Sequence, residues 1–184
     1  MSQNTYEELQ ALIGQDGSST TGPDEVCKEM IRHWCEAMED TNPLYTNEEY
    51  AGKSKYGDII SPPMMVQGWS FPLVWPDGQE MYYRHPEKPS QDGQPDPLAA
   101  AFDKLSEAGF FGAAVTDNTL EFVRPLSLGD RVTMSSKLAG ISPEKKTRVG
   151  NGHFVTVSLT YTNQRSETVC KQNMTVFRFK PIEM

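Results

Sequence analysis

From Phe110 onward the hydrophobic period of the 184-residue chain changes from about 3.6 to two, and this change restricts the fold more than any other feature. "HFVTVSLTYTN" at 153–163 alternates cleanly, and so does "TVCKQNMTVFRF" at 168–179 after the turn "QRSE". "AAVTDNTLEFVRPLSLGD" reads as a strand closed at Pro125, while "RVTMSSKLAGIS" alternates less regularly through Val132, Met134 and Leu138. Strands this long, joined by short turns, predict an antiparallel meander. Because alternate side chains leave a strand on opposite faces, one face needs an apolar cover.

The upstream half supplies helices. Residues 1–13 predict a short helix, followed by a polar linker, "GQDGSSTTGPD". Pro23 suits a first helical turn, with Asp24 and Glu25 beside the positive end of the helix. Val26, Met30, Trp34, Ala37 and Met38 follow at three-and-four spacing. "DIISPPMMVQGWSFPLVW" predicts a second, buried helix opening at Pro62 and Pro63, running through Met64, Met65, Val66 and Trp69 and ending before Pro72. Residues 75–97 are rich in Pro, Gly and Asp and read as a loop insertion. "PLAAAFDKLSEAG" reads as a helix closed by Gly109. Helices first and strands last predict one α+β domain over 1–184, with an antiparallel sheet wrapped around a central helix.

The formal net charge is −8, which opposes nucleic acid or an anionic membrane as partner. The N-terminus has neither a basic start nor an apolar segment, so a cytoplasmic protein is expected. Cys27, Cys35 and Cys170 form no CxxC pair and read as structural thiols. His33, His85 and His153 lack metal-ligand spacing, so no metal site is expected. His153, opening an alternating strand, reads as a satisfied surface or core histidine.

"EDTNPLYTNEEYA" at 39–51 packs acid, amide and proline into Asp40 to Pro43, a turn composition on ordinary grounds. Together with "YGDIISPPMM" at 56–65 and "EFVRPLSLGDRVT" at 121–133 it resembles the MaoC-like hydratase/dehydratase family, whose fold is the hot dog. In that family the motif reads Gly-Asp-x-Asn-Pro, then an aliphatic residue, then His. Asp40 to Leu44 match it. The other two segments resemble the FAS1-like dehydratase branch. "SPEKKTRVGNGHFVT" and "LSEAGFFG" resemble the hot dog domain of the large subunit of actinobacterial steroid side-chain enoyl-CoA hydratases.

The resemblance implies water addition to a 2-enoyl-CoA, with the coenzyme A thioester as substrate and no separate cofactor. It makes Asp40 and Asn42 the candidate catalytic residues, but Tyr45 stands where the family has its His. A phenol with an ordinary pKa near ~10 is a poor base near neutrality, so the acid-base pair is broken. Pro62 and Pro63 have no N–H to offer an enolate, leaving Met64 or Met65 as first donors. The expected function is therefore a subunit that accommodates a bulky acyl group while a smaller MaoC-like partner supplies the Asp/His pair. An OB-fold domain and a thiolase-like aldolase are further partners that the resemblance implies. The alternatives are a self-sufficient homodimeric hydratase or thioesterase using Asp40, or a non-catalytic acyl-CoA-binding scaffold.

Met64, Met65, Trp69 and Phe71 read as core packing or as the wall of a wide acyl pocket. Lys145, Lys146 and Arg148 read as a solvated hairpin tip or as a cationic patch for coenzyme A phosphates, and Arg124 as similar.

Overall fold

The computed structural model describes residues 3–72 and 96–181. In order, the chain forms α1 (Gln3–Ala11), β1 (Asp16–Glu25), α2 (Lys28–Met38), α3 (Pro43–Thr46) and α4 (Glu48–Gly52). Two 3-10 turns follow, Pro63–Val66 and Gly68–Ser70, then α5 (Pro97–Glu107). The remaining strands are β2 (Gly112–Phe122), β3 (Arg131–Ile141), β4 (Lys145–Lys146), β5 (Gly150–Thr162) and β6 (Thr168–Pro181). The five long strands make one antiparallel sheet in the order β1-β3-β5-β6-β2, with β4 added beside β5.

Three expectations change. The supposed linker contains β1, and Pro23 lies in that strand rather than opening a helix. An edge strand tolerates proline because its outward N–H needs no partner. β1 is held through its pairing with β3, helped by hydroxyl contacts Ser19–Ser135 (3.2 Å) and Thr21–Thr133 (2.9 Å). The strands are not a simple meander: β3, β5 and β6 run in sequence, but β2 crosses over to the outer side of β6. The stretch expected as a central helix from Pro62 to Trp69 is two short 3-10 turns. Pro62 and Pro63 cannot donate to the first turn, and Gly68 loses more entropy than any other residue when held in a helix. The 75–97 insertion lies outside the described residues except for Asp96 and Pro97, which cap and open α5.

One face of the sheet carries the core. Alternate β5 residues Val155, Val157, Leu159 and Tyr161 point to it. Beside one another on that face lie two clusters. In the first, α1 and α5 bring Leu9, Ala101, Leu105 and Phe110 onto Leu138, Val155 and Val157. In the second, α2 and the 3-10 turns bring Ile31, Cys35, Val66 and Trp69 onto Val132, Tyr161 and Cys170. Leu159 touches both. The buried face of α2 is Ile31 and Cys35, while Met30 and Met38, expected inside, are exposed. Each fully buried aliphatic chain contributes about 1.5–3 kcal/mol.

β2 differs from the other long strands. Almost all of its residues are exposed, and Phe111, Val115 and Phe122 at or beside it leave apolar surface in solvent.

Candidate functional site

The Asp40 loop begins where α2 ends. Glu39 adopts a left-handed conformation, φ +54, and Asp40 N–H donates to the Cys35 carbonyl at 2.9 Å, turning the chain out of the helix. Asp40 Oδ1 then accepts from Asn42 N at 3.0 Å. Asn42 Oδ1 accepts from Leu44 N at 3.1 Å and so caps α3, with Pro43 in its first turn. Asn47 repeats the device for α4, accepting from Tyr50 N at 2.9 Å. Asp40 and Asn42 thus hold the loop's own backbone. The two short helices were not foreseen, although Asn47 followed by Glu48 and Glu49 is a readable start signal.

Tyr45 is half-buried against the second core cluster. Burial pushes its hydroxyl above the ordinary phenol range, Asn42's hydrogen bond opposes this, and the nearby Asp40 charge adds to the rise. A phenol shifted upward is a weaker candidate base than an ordinary one. Tyr45 lines a cavity of about 410 Å³ together with Tyr56, Ser61, Phe122, Arg124 and Cys170. Burial raises the Cys170 and Cys35 thiols, as expected of structural cysteines.

Met64, Met65, Trp69 and Phe71 do come together. With Met30 and Trp34 of α2 they line a second cavity, of about 520 Å³, between that helix and the 3-10 turns. The Trp69 indole N–H donates to Ser61 Oγ at 2.9 Å, which fixes the ring, and Ser61 N–H donates to Leu126 O. Gln67 also lines this cavity. It was not singled out from the sequence, where one glutamine in an apolar run gives no signal.

Lys145, Lys146 and Arg148 line neither cavity. Lys145 and Lys146 sit in β4, paired with Gly152 and Asn151, whose β6 partners are Phe179 and Lys180. The first cavity touches β6 at Cys170. Nine residues of strand separate the two levels, roughly 30 Å. Arg148 lies in the same exposed hairpin. Arg124 borders the first cavity but is ion-paired with Glu167.

His153 is 1 % exposed, with Nδ1 2.9 Å from Ser142 O and its ring edge-on to Phe110, so it is a core residue. Among the described residues no cluster of three or more His, Cys, Asp or Glu could hold a metal ion. Nor is any helix there long and apolar enough to cross a membrane.

An antiparallel sheet with few helices over one face, and an Asp-x-Asn-Pro loop after α2, defines an α+β domain of hot dog type. The chain belongs to the family described as FAS1-like, dehydratase domain region, whose model matches residues 11–172. It is 37 % identical over 187 residues to a probable enoyl-CoA hydratase alpha subunit of Thermomonospora curvata, covering 98 % of this chain and 54 % of the relative. It is 28 % identical to the 3-oxo-4,17-pregnadiene-20-carboxyl-CoA hydratase alpha subunit of Mycobacterium tuberculosis, over 86 % of this chain and 46 % of that one. The chain spans about half the length of these curated relatives. A chain of the ChsH1-ChsH2 complex from Mycobacterium tuberculosis superposes with a TM-score of 0.79 at 25 % identity, covering 99 % of this chain and 93 % of that one. The MaoC-like dehydratase from Rhodospirillum rubrum shares the fold at TM-score 0.57 and 18 % identity, over 92 % of this chain and 95 % of that one.

Proposed function

We propose that this chain is the acyl-accommodating subunit of a heteromeric, cytoplasmic enoyl-CoA hydratase. A bulky 2-enoyl thioester of coenzyme A, of steroid side-chain type, gains water across its double bond to give the 3-hydroxyacyl product. A smaller MaoC-like partner supplies the Asp/His pair, and no separate cofactor takes part. The observation that carries this reading is a division within the chain. The loop matching the hydratase motif is committed to its own turns and has a raised phenol in place of a base. Meanwhile Met64, Met65, Trp69 and Phe71 wall an apolar cavity of about 520 Å³. That volume falls within the range that takes a drug-sized ligand.

Two further features support a partner. Among the described residues β2 is an edge strand whose outer side pairs with no other strand, and with exposed Val115 and Phe122 it offers a surface that a second sheet can extend. The alpha-subunit names of the relatives point the same way. Lys145, Lys146 and Arg148 are assigned to the coenzyme phosphates only across such an assembly, because in one chain they line neither cavity and lie roughly 30 Å from the first. The wider OB-fold and thiolase-like partners remain part of the same proposal.

The test is hydration of a polycyclic enoyl-CoA by the chain alone and after co-expression with its smaller MaoC-like partner. Background turnover alone and full turnover together are expected. Ordinary hydratase rates from the chain alone, abolished by Asp40→Asn, would overturn the division of labour.

A further inference from the structure

Gln67 enters the acyl cavity from the wall that faces the sheet, where a buried polar network decides which of its amide atoms is left over. At the centre is Gln172, 1 % exposed. The Tyr161 hydroxyl, also 1 % exposed, lies 2.6 Å from one of its amide atoms. Hydroxyl-to-oxygen bonds span about 2.5–3.0 Å and nitrogen-to-oxygen bonds about 2.7–3.2 Å, so this atom is the carbonyl Oε1. The Gln67 amide atom 3.0 Å from the same Oε1 must then be its nitrogen, because two carbonyl oxygens cannot bond. Gln172 Nε2, in turn, donates to Asn118 Oδ1 at 2.7 Å on β2. Burial raises the Tyr161 hydroxyl, and Gln67's side chain opposes that rise by hydrogen bonding to it.

The Gln67 nitrogen is therefore committed to the Tyr161–Gln172 pair, and Oε1 is the atom of the amide that no donor meets among the described residues. The rest of the cavity wall around it is methionine and aromatic side chains, while His33 and Asp24 are at the exposed rim. Water can meet Oε1 while the cavity is open, but an apolar group that displaces this water without donating leaves the acceptor unmatched, which costs free energy.

We propose that this cavity reads a hydrogen-bond donor on the acyl group, with Gln67 Oε1 accepting from a ring hydroxyl far from the thioester. The inference rests on the acyl-pocket reading above and adds the polarity of the substrate's distal end. A ring ketone offers only an acceptor and leaves Oε1 unmatched, so the site discriminates hydroxyl from ketone at one ring carbon. The Tyr161–Gln172 pair positions the amide and does not touch substrate.

The experiment uses the complex of the chain with its smaller partner and two polycyclic 2-enoyl-CoA probes, identical except for a hydroxyl or a ketone on the distal ring. Wild-type complex should show a KM about five- to tenfold lower for the hydroxyl probe, the ratio expected of one neutral hydrogen bond. Gln67→Met, which keeps length and suits the methionine wall, should bring the two KM values together. Equal KM values in the wild type, a preference for the ketone, or a hydroxyl preference that survives Gln67→Met would each overturn the inference. Turnover of a short-chain enoyl-CoA with neither bulky probe accepted would overturn the acyl-pocket reading itself, and the inference with it. The wild-type probe ratio decides the matter even if Gln67→Met folds poorly.

Discussion

The contact that seats the 3-10 turns on the sheet can be broken by one methyl group. Gly22 of β1 is buried beneath the Trp69 carbonyl, and a Cβ built there would stand 1.8 Å from Trp69 O and 2.8 Å from its carbonyl carbon. Real Cβ contacts essentially never fall under 3.0 Å, so Gly22→Ala requires the two backbones to part by at least about 1.2 Å. Both atoms belong to backbone, and no side chain can rotate away. Forced separation of this kind in a packed region costs about 1–3 kcal/mol. For a chain of this size it lowers Tm by roughly 2–12 °C. The segment displaced carries Met65, Trp69 and Phe71, so the cavity of about 520 Å³ must change shape with it. Gly68 is the control: it borders the same cavity, but a Cβ there meets nothing within 4 Å. Thermal unfolding, with a tryptophan-fluorescence titration of a polycyclic acyl-CoA, reads both effects. Gly22→Ala should melt early and bind the ligand at least about fivefold more weakly, whereas Gly68→Ala should melt near wild type. If Gly22→Ala melts within about 1 °C of wild type and binds normally, the close approach does not hold the cavity.

Asp40→Asn keeps an oxygen for the Asn42 N–H and should leave stability and the turnover of the proposed complex nearly unchanged, whereas Asp40→Ala should cost about 0.5–1.5 kcal/mol by denaturant unfolding. A 100-fold fall in kcat from Asp40→Asn would instead make it an acid-base group. Glu39 holds φ +54 where the hydratase motif has glycine, and Glu39→Gly should stabilise by a few tenths to about 1 kcal/mol in urea unfolding. No gain in midpoint would mean that the turn bears no strain. Hydrogen bonds from Asn163, Arg124 and Arg165 hold the Glu167 carboxylate down to about 2 from 4.5. A depressed folded-state value stabilises above the unfolded one, so this contribution is complete above about pH 4.5 and disappears as pH falls towards about 2. Glu167→Gln should flatten Tm against pH in that window, and an unaltered acid limb would refute the assignment.

The parts of the fold legible in the sequence were those where one physical signal dominates. β5 and β6 alternate because one face is core and the other is not, and α5 is announced by Asp96 and Pro97 before it and Gly109 after it. Asp96 does more than its position suggests. Burial would raise its carboxyl, but N–H groups of Ser18, Ala99 and Leu98 bind it and carry it below the usual range, tying α5 to β1. β1 was illegible because an edge strand of Ser, Thr, Gly and Pro gains its stability from β3 rather than from its own apolar pattern. The break of the central helix was present in Pro62, Pro63 and Gly68 but lost to the strength of the apolar run. At the site, the four apolar wall residues were legible as a group. Gln67 was not, since its role depends on Tyr161 and Gln172, about a hundred residues away.

The outermost position of β2 also sets a schedule for synthesis. Its register runs from Gly112 opposite Phe179 to Phe122 opposite Cys170, so each residue of β2 waits for a partner 48 to 67 residues further along the chain. At about 5–20 residues per second the ribosome leaves β2, with its apolar neighbours Phe111 and Val123, unpaired for some seconds. During that interval β3 can already pair with β1 on one side and β5 on the other. The nascent chain therefore holds a three-stranded sheet whose β5 edge is open, beside a free β2 whose partner β6 is not yet made. A chaperone that shields extended apolar segments should act in this interval, and slowing translation just before Thr168 should lower the yield of folded protein.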